Sequence, residues 1–496
     1  MTPEPAVQSL STQVLVVGAG PVGLLLACEL RRARVPVIIV ERLPSPMTES
    51  RASQLTTLTA ELLHERGFDA LLDAAVCEPR AHFGGLPFDV SGVPSQYAGH
   101  WKVPQYRTES IIGRRAETLG ATLLRAHELT DMSERAEHVR CGVRGPDGDL
   151  RIQAQYVVGC DGAASTVRRL AGFTSTVTGP TRELLRADVT GINIRDRRFE
   201  RLAGGLAVAG TSDGVTRVMV HAFGADVAER MAPPGFAAIA RLWEEVTGED
   251  ISGGTAIWTD SFDNASGLAD SYRRGRVLLA GDAAHWHMPI GGQALNVGLQ
   301  DAVNLGWKLA GSVHGWAPPH LLDSYHDERH LVAARVLRYV AAQEAVLLGQ
   351  AEIEPLRAVL TELVGLEPVR DHLSRVLSGL DVPYGPGQSP LAGRRIANMR
   401  LRSLPGSPAT VGLLAATEPV VVRLVPRAET AGHQGSPPAE FPVPTVYAIP
   451  EEGFPSEVTA MLVRPDGYVA WAGDDEEELS LAIGQWFRVR SDNVAR

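Results

Sequence analysis

The chain has 496 residues, 44% of them hydrophobic and 21% charged, with a formal net charge of −11. That length asks for two or three domains, and the balance is that of a globular protein with ample apolar material for a large core. The acidic charge argues against a nucleic-acid partner, since phosphate binding needs a basic surface.

Gln13–Val17 reads as a buried strand. A Gly-rich turn follows, then a helix from about Pro21 to Ala33 and a strand over Val37–Val40, which together form a βαβ unit. Glu61–Arg66 and Thr108–Leu119 read as helices. Ala81–Ser95 reads as loop with short strands, and Tyr156–Val158 as another buried strand. From Thr181 to Phe262 the pattern changes to short β-like runs, such as Leu206–Ala209 and Arg217–Ala222, with one helix near Ala237–Val246. This has the look of an insertion. Val277–Ala280 returns to a buried-strand pattern. Helices are expected over Leu295–Gly311, Leu321–Leu348 and Leu356–Leu377. Beyond the Pro/Gly linker Gly385–Ser389, strands fall at Val420–Val425 and Ala460–Val463, with a last helix near Glu477–Phe487.

The cysteines are Cys28, Cys77, Cys141 and Cys160, with no C-x-x-C pair. They offer no zinc site and no disulfide framework, and they fit a reducing, cytoplasmic compartment. No Lys or Arg precedes an apolar run in Met1–Gln13, so no signal peptide is expected there. The most apolar stretch, Val14–Leu30, is broken by Gly18, Gly20, Pro21 and Gly23. A membrane span needs about 20 apolar residues, so none is expected.

Four segments carry chemistry. Gly18-Ala19-Gly20-Pro21-Val22-Gly23 lies between a strand and a helix, with Glu41 and Arg42 ending the next strand. Glycines there permit a tight turn and let backbone N–H groups approach a pyrophosphate at the positive helix end, while Glu41 is placed to accept from a ribose. Gly281-Asp282 follows the strand Val277–Ala280, which sets a carboxylate where a ribitol hydroxyl would suit it. Gly291-Gly292-Gln293-Ala294-Leu295-Asn296 opens the next helix, whose N-terminus would stabilise negative charge on a reduced flavin. In Asp161–Arg168 the Asp-Gly pair is turn chemistry, and Arg168 is either a phosphate partner or a surface arginine.

In this order the four segments resemble those of the flavoprotein aromatic hydroxylases built on the para-hydroxybenzoate hydroxylase fold. His82–Pro87, Val103–Gln105, Leu322–His326 with Glu328–His330, and Leu462–Tyr468 are similar to the angucycline-type polyketide hydroxylases, with rifampicin-type monooxygenases next. The resemblance implies an α/β fold. A Rossmann-like FAD-binding domain would comprise 1–180 and 263–385, a β-rich substrate domain 181–262 with help from 80–100, and a thioredoxin-like domain 390–496. It implies FAD held by Val22, Glu41, Gln105, Asp282 and the backbone near Leu129, with Arg51 near the flavin and pyrophosphate. Pro289 and Gly291–Asn296 would line the isoalloxazine ring, and Asp161 and Arg168 would serve both FAD and NADPH, or NADH.

The implied reaction spends NAD(P)H and O2 and passes through a flavin C4a-hydroperoxide to oxygenate a polycyclic aromatic, a route that needs a dry, shaped pocket. Baeyer–Villiger insertion, ring rearrangement, drug inactivation and a flavin-binding protein without turnover stand as alternatives. A homodimer is compatible with the chain. The residues define no catalytic constellation and no metal site. His287 is a candidate acid–base, and His285 is expected to hold its turn. The run Gly204–Gly210 and the loop His82–Pro87 are expected to leave room for a wide ligand. Arg195, Arg197, Arg198 and Arg201 are expected as a solvated turn, with a carboxylate site as the alternative.

Overall fold

The computed structural model describes residues 8–48, 52–230, 232–385, 389–396, 401–403, 417–425, 443–451 and 454–487. Arg51, expected beside the flavin, lies outside the described residues.

The strand Gln8–Val17 pairs in parallel with Val37–Glu41 on one side and Gly148–Gly159 on the other. Val277–Leu279 and Thr122–Arg125 extend this parallel sheet on either side. Parallel strands buried on both faces need continuous apolar runs. Val14, Leu15 and Val16 are accordingly fully buried, as are Val157, Val158, Leu278 and Leu279. Helix Pro21–Arg32 and the long helix Gln293–His314 cover one face, with Leu24, Leu26, Ala302 and Leu305 in the same core as the strands. The expected βαβ unit is present, with its helix ending at Arg32.

The insertion forms an antiparallel sheet in the order Arg197–Leu202, Gly205–Ser212, Val215–Ala222, Glu183–Thr190, Thr255–Asp263. Side chains alternate between its faces. Leu185, Ala187 and Val189 face helix Phe236–Thr247, where they pack with Ile239 and fully buried Trp243. The hairpin Arg80–Phe83 with Leu86–Asp89 touches this sheet through the tilted rings of His82 and Phe199, 4.2 Å between centroids.

Two expectations need correction. The helix expected over Leu356–Leu377 is two helices, Glu354–Gly365 and Glu367–Ser378, broken at Leu366 (φ −77°, ψ 129°). Pro368 has no N–H to continue the first helix, so the chain restarts with the proline in the next first turn. The arginine group is a solvated turn only in part: Arg195 and Arg198 are exposed, but Arg197 and Arg201 are not. Arg197 is buried and pairs with Glu200 (2.5 Å) and Glu249 (2.9 Å), and Arg201 donates to the carbonyls of Leu347 (2.6 Å) and Gly349 (2.8 Å).

The C-terminal strands lie in the thioredoxin-like order Leu401–Ser403, Thr445–Pro450, Val420–Leu424, Ala460–Val463, Val469–Gly473, with helix Glu476–Trp486 against them. This unit packs on the long helix, where Trp307 shares a core cluster with Leu462, Trp471 and Phe487. A buried ionic network joins them. Glu328 accepts from Lys308 (2.7 Å) and from both ends of the Arg464 guanidinium (2.6 and 2.8 Å). Among the described residues no helix is long and apolar enough to cross a membrane.

Candidate active site

The Gly-rich turn is built by exclusion. Gly18 has φ +105°, and a Cβ there would lie 2.4 Å from the Cys160 carbonyl oxygen. A Cβ on Gly23 would lie 2.1 Å from the Gly18 carbonyl oxygen. Both positions therefore admit glycine alone. Gly20 differs: its φ of −70° suits any residue, and a Cβ there would meet nothing within 4 Å. The space beside it is open because it belongs to a cleft of about 490 Å³. Helix Pro21–Arg32 starts at this turn with no acid in its first turn, and among the described residues no side chain caps its first N–H groups.

Gly18, Gly20, Val22, Glu41, Arg42, Gln105, Leu129, Asp161, Asp282, Pro289, Ala294 and Leu295 all line this one cleft, drawn from across the chain. Gly23, Arg168, Gly291, Gly292 and Asn296 are not among the residues that line it. Glu41 has both oxygens engaged, accepting from the backbone N–H of Ala19 (2.8 Å) and of Leu43 (2.9 Å). Each oxygen keeps a second lone pair for a ligand hydroxyl. Gln105 accepts from the Ala52 N–H (3.1 Å) and so closes the wall beside it. Asn296 is fully buried: it accepts from Thr56 N–H (2.8 Å) and donates to the Gln54 (3.0 Å) and Gly292 (2.6 Å) carbonyls. Its work is to hold the second uncapped helix start, Gln293, at the cleft.

Arg168 braces the turn. Its guanidinium donates to the carbonyls of Ala283 (2.8 Å) and Ala163 and lies over the Trp286 ring at 4.4 Å. Asp161 accepts from Ser165 Oγ (2.5 Å) and Val167 N–H (3.1 Å), which fixes the turn into helix Thr166–Leu170. His285 holds its turn. Its Nε2 meets Asp301 Oδ2 at 2.6 Å, and Asp301 also accepts from Gly281 N–H (3.1 Å) and Arg329 Nε (2.7 Å). Burial pushes the Asp301 carboxyl up, but His285 and Arg329 more than offset this and hold it below the usual range.

His287 lines the cleft. With Nδ1 donating to the Met288 carbonyl (2.8 Å), the neutral ring leaves a lone pair on Nε2, which is buried with no hydrogen-bond partner among the described residues. Burial lowers its pKa to about 4. At neutral pH this ring is an acceptor and not an acid.

The sequence reading missed the opposite wall, formed by Arg186, Asp260, Ser261 and Phe262 of the inserted sheet. Arg186 pairs with Asp260 at 2.7 Å. The available signal was Arg186 and Asp188 alternating with Leu185, Ala187 and Val189; nothing in that run points to Asp260 on its separate strand. Two expected wide-ligand segments are corrected. The run Gly204–Gly210 sends Ala207 and Ala209 to the helix side, and neither it nor His82–Pro87 lines the cleft.

Residues 11–340 match the family model described as FAD binding domain, and 389–488 match that described as aromatic-ring hydroxylase, C-terminal. The chain belongs to the FAD-dependent aromatic-ring hydroxylases. This hydroxylase is 35% identical over 494 residues to the 12-dehydrotetracycline 5-monooxygenase/anhydrotetracycline 6-monooxygenase of Streptomyces rimosus, covering 96% of this chain and 98% of that protein. It is 35% identical over 484 residues to a dialkyldecalin synthase of Streptomyces rugosporus, covering 96% and 99%. Among solved structures it is similar to CabE, an aromatic hydroxylase from angucycline biosynthesis, with 40% identity, a TM-score of 0.88 and coverage of 97% and 100%. The hydroxylase is thus an FAD-dependent monooxygenase of mixed α/β fold.

Proposed function

We propose that this hydroxylase uses NAD(P)H and O2 to oxygenate a polycyclic aromatic of the polyketide type, with FAD along the cleft. The observation that carries the reading is the continuity of the cleft, which runs from the Gly18–Gly20 turn past His287 and Pro289 to the inserted sheet. One cavity therefore joins a dinucleotide cradle to a wall fit for an organic substrate. The open space beside Gly20 and the two uncapped helix starts fit the flavin dinucleotide.

In this reading the amides after Gly20 hold the pyrophosphate and Glu41 the adenosine ribose. Asp282 would take a ribityl hydroxyl, and Pro289 with the start of helix Gln293–His314 would hold the ring, the helix end favouring negative charge on it. When bound, FAD supplies the redox chemistry, accepting hydride equivalents from NAD(P)H and activating O2 for transfer of one oxygen atom. The chain's own part is to bind, orient and keep water out. Apolar Met288 and Ile290, packed with Leu206 and Phe262, shield the region beside Pro289. His287 stays neutral and offers an acceptor. We assign the substrate unit to residues 181–262 and the flavin unit to 1–180 with 263–385.

The similarity to the dialkyldecalin synthase favours a second reading, in which the same cleft closes rings without oxygen transfer. NAD(P)H oxidation under air, with a tetracyclic hydroxyquinone and with para-hydroxybenzoate, tests the first. Efficient turnover of the tetracycle and not of the small acid supports it, and the reverse contradicts the substrate class.

A further inference from the structure

The inserted sheet has one apolar face against its helix and a second face toward the cleft. Strand register places the second face's residues. Leu184 pairs with Phe262, Arg186 with Asp260 and Asp188 with Trp258. One end is apolar, because Leu184, Met219 and Phe262 share a cluster with Met288 and Ile290. The other end is charged. The Arg186 guanidinium is buried, pairs with Asp260 at 2.7 Å and lies 4.6 Å from the Trp258 ring and 5.2 Å from that of Phe262.

Resting on the proposed reading of the cleft, we infer that Arg186, aimed by Asp260, is the polar anchor for substrate, donating to a carbonyl or phenolate oxygen of a polycyclic aromatic whose rings lie against Phe262. Desolvating an ion pair costs about as much as its attraction returns, so a sheet needing only stability is served equally well by apolar residues. Here the pair sits on a cleft wall otherwise able to take aromatic rings. Asp260 sets the specificity. Its carboxylate balances the arginine, which leaves a site for a neutral or partly charged oxygen and disfavours a full carboxylate or phosphate beside it. Asp188 reinforces the pattern behind the anchor by binding Arg217 through two bonds of 2.7 Å. That second arginine is thereby occupied.

The test compares 9-fluorenone with fluorene, two tricyclic probes that differ in one carbonyl. Each is titrated into the FAD-loaded full chain and followed by flavin absorbance. Wild type is expected to prefer fluorenone by about tenfold. Arg186→Gln should abolish the preference while leaving fluorene affinity within about twofold. Arg186→Lys should recover part of it, because an ammonium donates but lacks the planar fork. Asp260→Asn, which keeps the shape of the wall, should reduce it. A merely structural pair would weaken both probes alike. Equal weakening overturns the assignment, as does a wild type that prefers neither probe or binds neither. A variant that keeps the preference while its KM for NADPH rises also overturns it and gives the arginine to the nucleotide. FAD content separates the two levels: a wild-type protein that cannot be loaded with FAD breaks the reading of the cleft, and tryptophan fluorescence then still reports the fluorenone preference.

Discussion

Gly20→Ala adds one methyl group to the cleft and touches nothing else. The backbone at Gly20 (φ −70°, ψ 173°) suits alanine, and beyond the adjoining residues no described atom lies within 4 Å of the new Cβ. The FAD-free protein should therefore keep its stability within about 0.5 kcal/mol. With the dinucleotide lying across this turn, the methyl stands where backbone and pyrophosphate must approach. Overpacking of that kind costs about 1–3 kcal/mol, which is about a 5- to 150-fold rise in Kd. Gly23→Ala is the control. Its Cβ would sit 2.1 Å from the Gly18 carbonyl oxygen and 3.2 Å from both Cys160 Cβ and Val16 Cγ1. Backbone cannot step aside there, so this variant should lose about 3 kcal/mol or more before any ligand is added. Urea unfolding of the FAD-free proteins and FAD titration by fluorescence quenching read the two quantities separately. If Gly20→Ala binds FAD as tightly as wild type, or is as unstable as Gly23→Ala, the placement of the dinucleotide is wrong.

Glu328→Gln should cost about 3–5 kcal/mol, since it strips the buried Lys308 and Arg464 of a shared carboxylate; a loss under about 1 kcal/mol in urea unfolding would show the network to be dispensable. Burial, helped by nearby cations at the first two, pushes His82 down to about 4 and His100 to about 3, and burial brings His287 to about 4, all from 6.5. The unfolded chain then binds more protons, so this stability is present above pH 6.5 and drains away as pH falls toward 4; unfolding midpoints that stay level from pH 7 to about 4.5 would contradict the buried neutral rings. Iodoacetamide at neutral pH should label Cys77, the exposed cysteine, and leave FAD content unchanged. Cys28 and Cys141 are buried with pKa values raised to about 12, and the pKa of Cys160, at the cleft, is raised well above its ordinary value. Loss of flavin on labelling would place a reactive thiolate in the cleft.

Local chemistry made the dinucleotide half of the site legible. Gly23 is forced by the carbonyl of nearby Gly18, and Asp282 follows its strand directly, although the carbonyl that forbids a Cβ on Gly18 belongs to distant Cys160. What stayed hidden depends on distant partners. Arg168 binds a carbonyl 115 residues along the chain, and no spacing within Asp161–Arg168 reveals whether that arginine meets a phosphate or a backbone. Asn296 looks like a ring contact in its motif, yet its side chain is consumed by Thr56, Gln54 and Gly292. The wall bearing Arg186 and Asp260 exists only once two strands 74 residues apart come into register. The Gly204–Gly210 run misled for the same reason: small residues mark close approach, and Gly205 is small because a Cβ would lie 2.1 Å from the His221 carbonyl oxygen.

Oxygen transfer itself is tested most directly by turnover of a tetracyclic hydroxyquinone under isotopically labelled O2, with NAD(P)H consumption followed in parallel. An FAD-dependent monooxygenase places one labelled oxygen atom in each product molecule and consumes one NAD(P)H for it. A product that carries no label, or that forms at the same rate under argon, contradicts monooxygenation and leaves the cleft to ring closure.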